Sequence, residues 1–569
     1  MPRKPANLIY GVDDKPGWGT SILLGLQHIC VQSIAFILPV VVIATIGGTD
    51  DQARNLICMA MIASGAATIL QGLPRGPVGS GYLCPLVNGP AFLSASLLAG
   101  KTGGLSLIFG MTAIGGIFEA LISRVITRMR AFFPSEVTGT VVTMVGIEII
   151  GIAVPKFLGM DKEHLTPDSR SILVAVITFA AMTGFTVWGA GKLRLYSVLL
   201  GLLAGYIAAF FTGVLTHADI SQILHQPFFR PPQFDEFGLS FDAALLVPFL
   251  VATLSSALKT MGDLTTCQKV NDTEWKRPDM KCISRGVLAC AIGNIISGLF
   301  GALGQSISSS NIGLSIGTGA TSRRIAYTNG AILILLAFVP KLASIFVIMP
   351  TPIMGACLIF AVSFMIVAGI QILMSRMVDA RKTFVIGTSI IFGLSVDIVP
   401  AAFQDLNPWL KPFFSSSLSV AALSAVLLNM VFRIGIAKHK TIHLAPGADS
   451  SETIFAFMEK QGGAWGARRE VVYNAMAAMN ELIEALAVQA PEAASVSMEV
   501  RFDEFNLDVH ARYTGPAMDF PAARPDKQDL RLHPEAAARL AGFLVRQYAD
   551  KITVTQEGSS CHVLLHFEH

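Results

Sequence analysis

Between Thr20 and Met430 the chain is a near-continuous succession of apolar runs, and no other feature restricts its fold as severely. About 20 apolar residues cross about 30 Å of hydrocarbon as an α-helix, and lipid offers no partner to an unpaired backbone group, so such runs are expected to be helical. We count about fourteen such runs. They fall near 19 to 46, 54 to 72, 86 to 99, 104 to 123, 138 to 158, 171 to 189, 195 to 214, 242 to 266, 284 to 303, 307 to 320, 325 to 348, 353 to 374, 383 to 400 and 415 to 432. Composition points the same way: 52% of residues are hydrophobic, 14% are charged and the mean hydropathy is +0.59. Soluble globular proteins lie well outside that range. The class is an all-α polytopic membrane protein, with the lipid bilayer as its surroundings.

Charge placement orients the spans. With the N-terminus in the cytosol, the inside loops carry Arg75, then Arg124, Arg128 and Arg130, then Lys192 and Arg194, then Lys269, Lys276, Arg277, Lys281 and Arg285. Arg323 and Arg324 follow, then Arg376, Arg381 and Lys382, and Lys438 and Lys440 after the last run. The outside loops are poor in Lys and Arg, as the positive-inside bias requires. An even number of spans with both ends cytosolic is therefore expected, in the cell inner (plasma) membrane. Residues 1–18 read as a short cytosolic leader. The eight cysteines stand singly, six of them (Cys30, Cys58, Cys84, Cys267, Cys290 and Cys357) in or beside apolar runs, and read as small buried residues with no metal spacing. No nucleophilic triad or phosphate loop lies in the spans, so neither an enzyme, a cofactor nor a nucleic-acid partner is expected.

Two runs differ from the rest. GSGYLCPLVNGPAFLSASLLAG (79–100) and GQSISSSNIGLSIGTGATSRR (304–324) carry Gly, Pro, Ser and Asn where a lipid-facing helix would carry Leu. Backbone that cannot stay helical survives at membrane depth only when buried in protein or lining a cavity. These are the third and tenth runs, the third of each half if the chain is two sevens inserted in opposite senses. Paired interrupted segments of this kind point to a transporter site between inverted repeats. Pro90 suits the first turn of a half-helix and Asn311 an N-cap, so both ends could offer free N–H groups to a solute. Close packing of small residues would also use Gly and Ser.

A further anomaly is Lys259, in SSALKTMGDL (255–264) of the eighth run. A lysine in a membrane helix either snorkels to the interface or faces a polar interior. Lys259 and Asp263 are four apart and can pair on one helical face.

NIGLSIGT (311–318) has an N-x-G-x-x-x-x-T spacing and is followed by GATSR. With LIYGVDDKP near the start, LQH (26–28), FPSEVTGTVVTMVG (133–146) and MGDLTT (261–266), it resembles the nucleobase-ascorbate transporters, the nucleobase-cation symporter 2 family, over about residues 7 to 435. The resemblance implies fourteen transmembrane spans in 7+7 inverted repeats, with core and gate domains, two broken helices and short crossing strands from the third and tenth spans. It further implies a homodimer and a nucleobase substrate such as uracil, xanthine or urate, or ascorbate. Coupling in the family is to protons, or in some members to sodium. The substrate site it implies comprises Lys259, Asp263, Phe92, Ala35, Ser309, Ser310, Asn311 and Gly313, with Gln27, His28 and Thr318 in supporting or coupling roles.

Two positions depart from the family pattern. Lys259 stands where relatives keep a base-binding glutamate, and Ser310 where a Gln or Glu precedes the Asn. A carboxylate accepts from ring N–H groups and can carry a proton, whereas an ammonium only donates. The expectation is a purine transporter suited to an oxopurine anion such as xanthine or urate, or one whose coupling has moved to Asp263 or His28. A transporter-derived sensor and a carrier of other small organic or inorganic anions are the alternatives.

Residues 437–451 read as a linker and 452–569 as a cytosolic α/β domain. VVYNAMAAMNELIEALAV has the pattern of an amphipathic helix, and VSMEVRFDEFNLDVHARY and KITVTQEGSSCHVLLHFEH those of strand pairs. The domain resembles the ATPase fold of histidine kinases and anti-sigma-factor kinases, but Ala485 replaces the magnesium-binding asparagine and HARYTGPAMDF lacks the adenine-reading aspartate. ATP hydrolysis is not expected of it.

Overall fold

The computed structural model describes residues 4–568 apart from 7, 126–133, 161–165, 190–195, 218–220, 222, 224–225, 234–237, 274, 276–277, 375–377, 404–405, 408–412, 415, 436–437, 446–449, 490–494, 504–505 and 525–533. Arg128, Arg130, Lys192, Arg194, Lys276, Arg277 and Arg376 of the orienting loops, and 446–449 of the expected linker, lie outside the described residues. The chain divides into two units, Met1–Asn429 and Met430–His569.

The first unit is helical. Its elements are α1 (Trp18–Ile46, with a tight turn at Ser33–Phe36), α2 (Asp50–Gln71), β1 (Leu86–Asn88), α3 (Pro90–Val125), α4 (Ser135–Phe157), α5 (Ser169–Val187), α6 (Ser197–Thr212), α7 (Ala243–Asn271) and α8 (Met280–Leu299). After these come β2 (Gln305–Ile307), α9 (Ser309–Thr318), α10 (Arg323–Leu336), α11 (Pro340–Val347), α12 (Thr351–Leu373), α13 (Ala380–Ile398) and α14 (Ser417–Phe432). Local chemistry sets many of the ends. Thr49 and Gln52 close a capping box on α2, with Asp50 and Asp51 in its first turn where the helix dipole favours acids. Asp279 caps α8 by accepting from Lys281 and Cys282. In α3 the chain breaks at Gly103–Gly104, where Gly104 has φ 70°, so the third and fourth apolar runs are two helical arms. Helices α10 and α11 meet at 84°, with Pro340 opening α11.

Among the described residues, nine helices are long and apolar enough to cross a bilayer, or ten if the bent α10–α11 pair is one span. One of the nine, Arg469–Val488, belongs to the second unit and buries its apolar stripe against a sheet, so it is not a span. Helices α6 and α14 are shorter apolar helices.

The two interrupted runs come together. β1 and β2 pair antiparallel in the register Leu86↔Ile307, Val87↔Ser306 and Asn88↔Gln305. The ladder continues through Gly89 N to Gly304 O at 2.7 Å and Ser308 N to Pro85 O at 2.9 Å. Every residue of both strands is buried, and each strand leads into a helix, α3 or α9. The leader is tied to the far end of α9: Tyr10 N donates to Gly319 O at 3.0 Å, Thr321 N to Tyr10 O at 2.8 Å, and Arg323 pairs with Asp13 at 2.9 Å.

In the second unit β3 (Lys438–Leu444), β4 (Val496–Phe502), β5 (Asn506–Thr514), β6 (Lys551–Glu557) and β7 (Ser560–Glu568) form one antiparallel sheet in the order β3-β4-β5-β7-β6. The expected hairpin partners β4–β5 and β6–β7 are neighbours in it. Helices α15 (Ser450–Trp465), α16 (Arg469–Gln489) and α17 (Pro534–Tyr548) complete the unit. Ala475, Ala478, Met479, Leu482, Ile483 and Leu486 of α16 share one core with Val496, Met498, Val500 and Leu565 of the sheet. The expected linker 437–451 needs correction: Lys438–Leu444 is a strand paired with β4. Its alternation is hidden because, as an edge strand, it carries polar residues on nearly every exposed position.

Candidate functional site

The candidate site lies where β2 meets α9 and α7. Lys259 and Asp263 sit one turn apart on α7, and Lys259 Nζ donates to Asp263 Oδ2 at 2.9 Å. The same ammonium donates to the carbonyl of Ile307, the last residue of β2. Ser309, the first residue of α9, donates from Oγ to Asp263 Oδ1 at 2.8 Å. Both charged side chains retain a little exposure, 20% for Lys259 and 14% for Asp263. Lys259 is therefore tied into protein polar groups at a strand–helix junction. An ammonium has three donors, and these contacts occupy two.

Asn311 is inside α9, not at its cap. Ser308 is the N-cap residue and makes no side-chain capping bond. The expected N-cap role is corrected because Asn311 turns instead toward α1, where its Nδ2 donates to His28 O and to His28 Nδ1, both at 2.9 Å. Its Oδ1 accepts from Ser308 Oγ at 2.7 Å. His28 is thus buried and bonded to a neighbouring helix. Ser310 and Gly313 lie on the exposed face of α9, and a Cβ on Gly313 would meet nothing within 4 Å. Thr318 bonds back to Leu314 O at 2.8 Å, satisfying backbone at the end of the helix.

Phe92 is buried under the strand pair. A Cβ on Gly304 would stand 2.4 Å from its ring, and one on Gly89 would stand 2.9 Å away. Only glycine lets these backbones approach the ring so closely. Ala35 is reached through its carbonyl, which accepts from Asn88 Nδ2 of β1 at 3.0 Å. Gln27 donates from Nε2 to Tyr196 Oη at 3.3 Å.

Sequence reasoning missed a buried polar chain behind the strands. Gln305 Nε2 donates to Asn88 Oδ1 at 2.9 Å, Ser64 Oγ donates to Gln305 Oε1 at 2.6 Å, and Gln305 N donates to Asn294 Oδ1 at 2.5 Å. Asn294 Nδ2 in turn donates to Glu119 Oε2 at 2.7 Å. On the other side Gln32 Nε2 donates to Leu86 O at 2.9 Å, and Gln32 Oε1 accepts from Asn329 Nδ2 at 2.8 Å. The available signal was Glu119 itself, an acid within an apolar run beside Gly115 and Gly116.

The arrangement can present a cation, the N-terminal N–H groups of α9 and an open small-residue face to a solute, with a buried hydrogen-bonded chain behind them. The model of a permease family (Xan_ur_permease) matches residues 19–402. A protein of Clostridium perfringens (strain 13 / Type A), provisionally named as a purine permease, is 30% identical over 428 residues, covering 75% of this chain and 93% of that protein. The xanthine permease XanP of Escherichia coli (strain K12) is 27% identical over 443 residues, covering 75% of this chain and 95% of that protein. Among solved structures, the murine Solute Carrier 26 family member A9 anion transporter in its inward-facing state has a similar fold, with a TM-score of 0.50, 10% identity, and coverage of 77% of this chain and 72% of that one.

Proposed function

The chain belongs to the nucleobase-ascorbate transporter family of permeases, and from that premise we propose that it is a secondary active transporter of oxopurines such as xanthine or urate, driven by protons. In this reading it has fourteen spans in 7+7 inverted repeats, works as a homodimer in the cell inner membrane, and keeps both termini in the cytosol. The second unit is a degenerate ATPase-like domain that regulates it.

The observation that carries the substrate class is Lys259 at the junction of β2 and α9, held by Ile307 O and Asp263. With Asp263 offset by Lys259 and Ser309, the local field is set by one remaining ammonium donor and by the positive end of α9. Carbonyl oxygens and delocalised negative charge suit that field, and an oxopurine monoanion has both. A neutral pyrimidine has less to gain there. Ser310 and Gly313 supply a small, exposed face on α9.

Uptake of radiolabelled xanthine and urate into proteoliposomes, with and without a pH gradient, tests this. Concentrative uptake that collapses when the gradient is dissipated is the expected result. Saturable binding without sustained flux would replace the transporter by a sensor acting through the second unit, and indifference to purines would end the reading altogether.

A further inference from the structure

Glu119 lies on the second arm of α3 and is fully buried. Its Oε2 accepts from Asn294 Nδ2 at 2.7 Å, and its Oε1 has no hydrogen-bond partner. Among the described residues no cation lies within ion-pair distance of it. Three buried hydroxyls on the same helices are also without partners: Thr112 Oγ1 two turns back on α3, Thr253 Oγ1 on α7 and Ser297 Oγ one turn beyond Asn294 on α8. Thr253 Oγ1 would be 2.7 Å from a Cβ on Gly115, one turn before Glu119, which places α7 against this stretch of α3. The remaining titratable neighbours are Cys290 of α8, which is in Coulombic reach of Glu119, and Lys259 and Asp263 of α7 beyond it, both within reach of the same thiol.

An ionised carboxylate in such a place would cost several kcal/mol with no countercharge to offset it. A metal ion is poorly served, because ions of that kind gather six or more oxygens, whereas Asn294 points its N–H at the carboxyl and its Oδ1 is already taken by Gln305 N. A proton needs only one oxygen, and Oε1 is free.

We propose that Glu119 is the proton-binding site of the transport cycle, protonated in this conformation and emptied when the α3–α8 contact opens. The link to solute is short. Asn294 joins Glu119 to the backbone of Gln305, and two residues along the same strand Ile307 holds Lys259. Ionising Glu119 draws Asn294 toward the carboxylate, loosens its hold on Gln305 N and so disturbs the strand that positions Lys259. Glu119 is six residues from Val125, the end of α3, about 9 Å along the axis, and Arg124 marks that end as cytosolic by the positive-inside bias. Release is therefore to the cytosol.

This rests on the transporter reading, and the test separates the two. In proteoliposomes the wild type should concentrate xanthine, with one proton per solute allowing up to about tenfold accumulation per pH unit; if it does not, the transporter reading fails first. Glu119→Gln should exchange labelled for unlabelled xanthine at a rate within about twofold of wild type while its accumulation ratio falls to one. Infrared difference spectra need no transport: the wild type should show a protonated-carboxyl band that Glu119→Gln lacks. Glu119→Asp, which keeps the acid, should keep uphill uptake with a displaced pH profile. Gradient-driven accumulation by Glu119→Gln at the wild-type ratio, an acid band unchanged by that substitution, or an undisplaced profile in Glu119→Asp would each overturn the proposal.

Discussion

Replacing Lys259 by Met keeps most of the aliphatic stem and removes the charge, so it isolates what the ammonium does. Two donors are engaged, by Asp263 Oδ2 at 2.9 Å and by Ile307 O, and one is left for a solute. A hydrogen bond to a charged group contributes about 1.5 to 3 kcal/mol, which corresponds to about 10- to 150-fold in dissociation constant. The Coulomb figure at an effective dielectric of 20 and a 4 Å separation, about 4 kcal/mol, sets the ceiling. Solvent reaching side chains that are 20% and 14% exposed moves the expectation toward the lower half of that range. The variant should therefore bind anionic xanthine about 10- to 50-fold more weakly and the neutral base nearly as well as wild type. Equilibrium binding to purified protein in nanodiscs, titrated across the ionisation of the base, reads both affinities in one series. Lys259→Glu should go further, rejecting the anion and favouring neutral bases. If Lys259→Met weakens neutral and anionic forms by the same factor, or neither, the ammonium is a structural tie between α7 and β2 and the electrostatic account of selectivity is wrong.

Other substitutions probe the scaffold. Asn311→Ala strips two bonds from buried His28 and one from Ser308, leaving two acceptors and a hydroxyl donor without that partner at about 1 to 3 kcal/mol each, and should lower the melting temperature and abolish uptake; unchanged uptake would sever α9 from α1. Gly304→Ala drives a methyl to 2.4 Å from the Phe92 ring, an overpacking cost of about 1 to 3 kcal/mol, and Phe92→Leu in the same chain should relieve it. In the second unit, two histidines should give opposite pH slopes in limited proteolysis of the full chain. Asp508, with Oδ1 2.6 Å from His566 Nδ1, raises that imidazole, so its stabilisation is complete below about pH 6.5 and is lost as pH rises through the raised value. Burial, then Arg501 and His562, lowers His510, so its contribution is complete above about pH 6.5 and fades as pH falls. His566→Ala should thus remove protection on the acid side and His510→Ala the acid sensitivity; parallel shifts would contradict both assignments.

How much of this was readable beforehand depends on whether a local pattern or a distant partner carries the information. The apolar runs were legible because burial in lipid demands length and composition, a signature that Arg469–Val488 imitates through its packing on a sheet. The interrupted stretches 79–100 and 304–324 were legible because Gly, Pro and Ser cannot hold a lipid-facing helix. Asn311 misled because a side chain that can cap a helix can equally bond to a helix 283 positions away in sequence, and only the fold decides between them. β3 carries little strand signal of its own because the residues it pairs with lie more than fifty residues downstream, at Val496–Phe502. Asn88, Asn294 and Gln305 went unnoticed for the same reason: each is unexceptional alone and acquires meaning only through the others.

The charges inside the first unit suggest how labour is divided there. In relatives, as the resemblance has it, an acid at the position of Lys259 binds the base. Here Asp263 is committed to Lys259 and Ser309, and His28 Nδ1 is engaged by Asn311. Among the described residues Glu119 has one amide donor and no cation within ion-pair distance, so it can take or lose a proton without first breaking an ion pair. Binding and protonation would then reside on different residues joined through β2. That separation has a measurable consequence. If the strand transmits between them, the effects of Lys259→Met and Glu119→Gln on xanthine affinity will not add, and their interaction energy should reach about 0.5 to 3 kcal/mol, as for residues sharing one bonded network. Asn294→Leu, which removes the bridge and leaves both ends in place, should bring that interaction energy to near zero. Strict additivity in the wild-type background would mean that β2 transmits nothing and that the proton and the solute are coupled by another route.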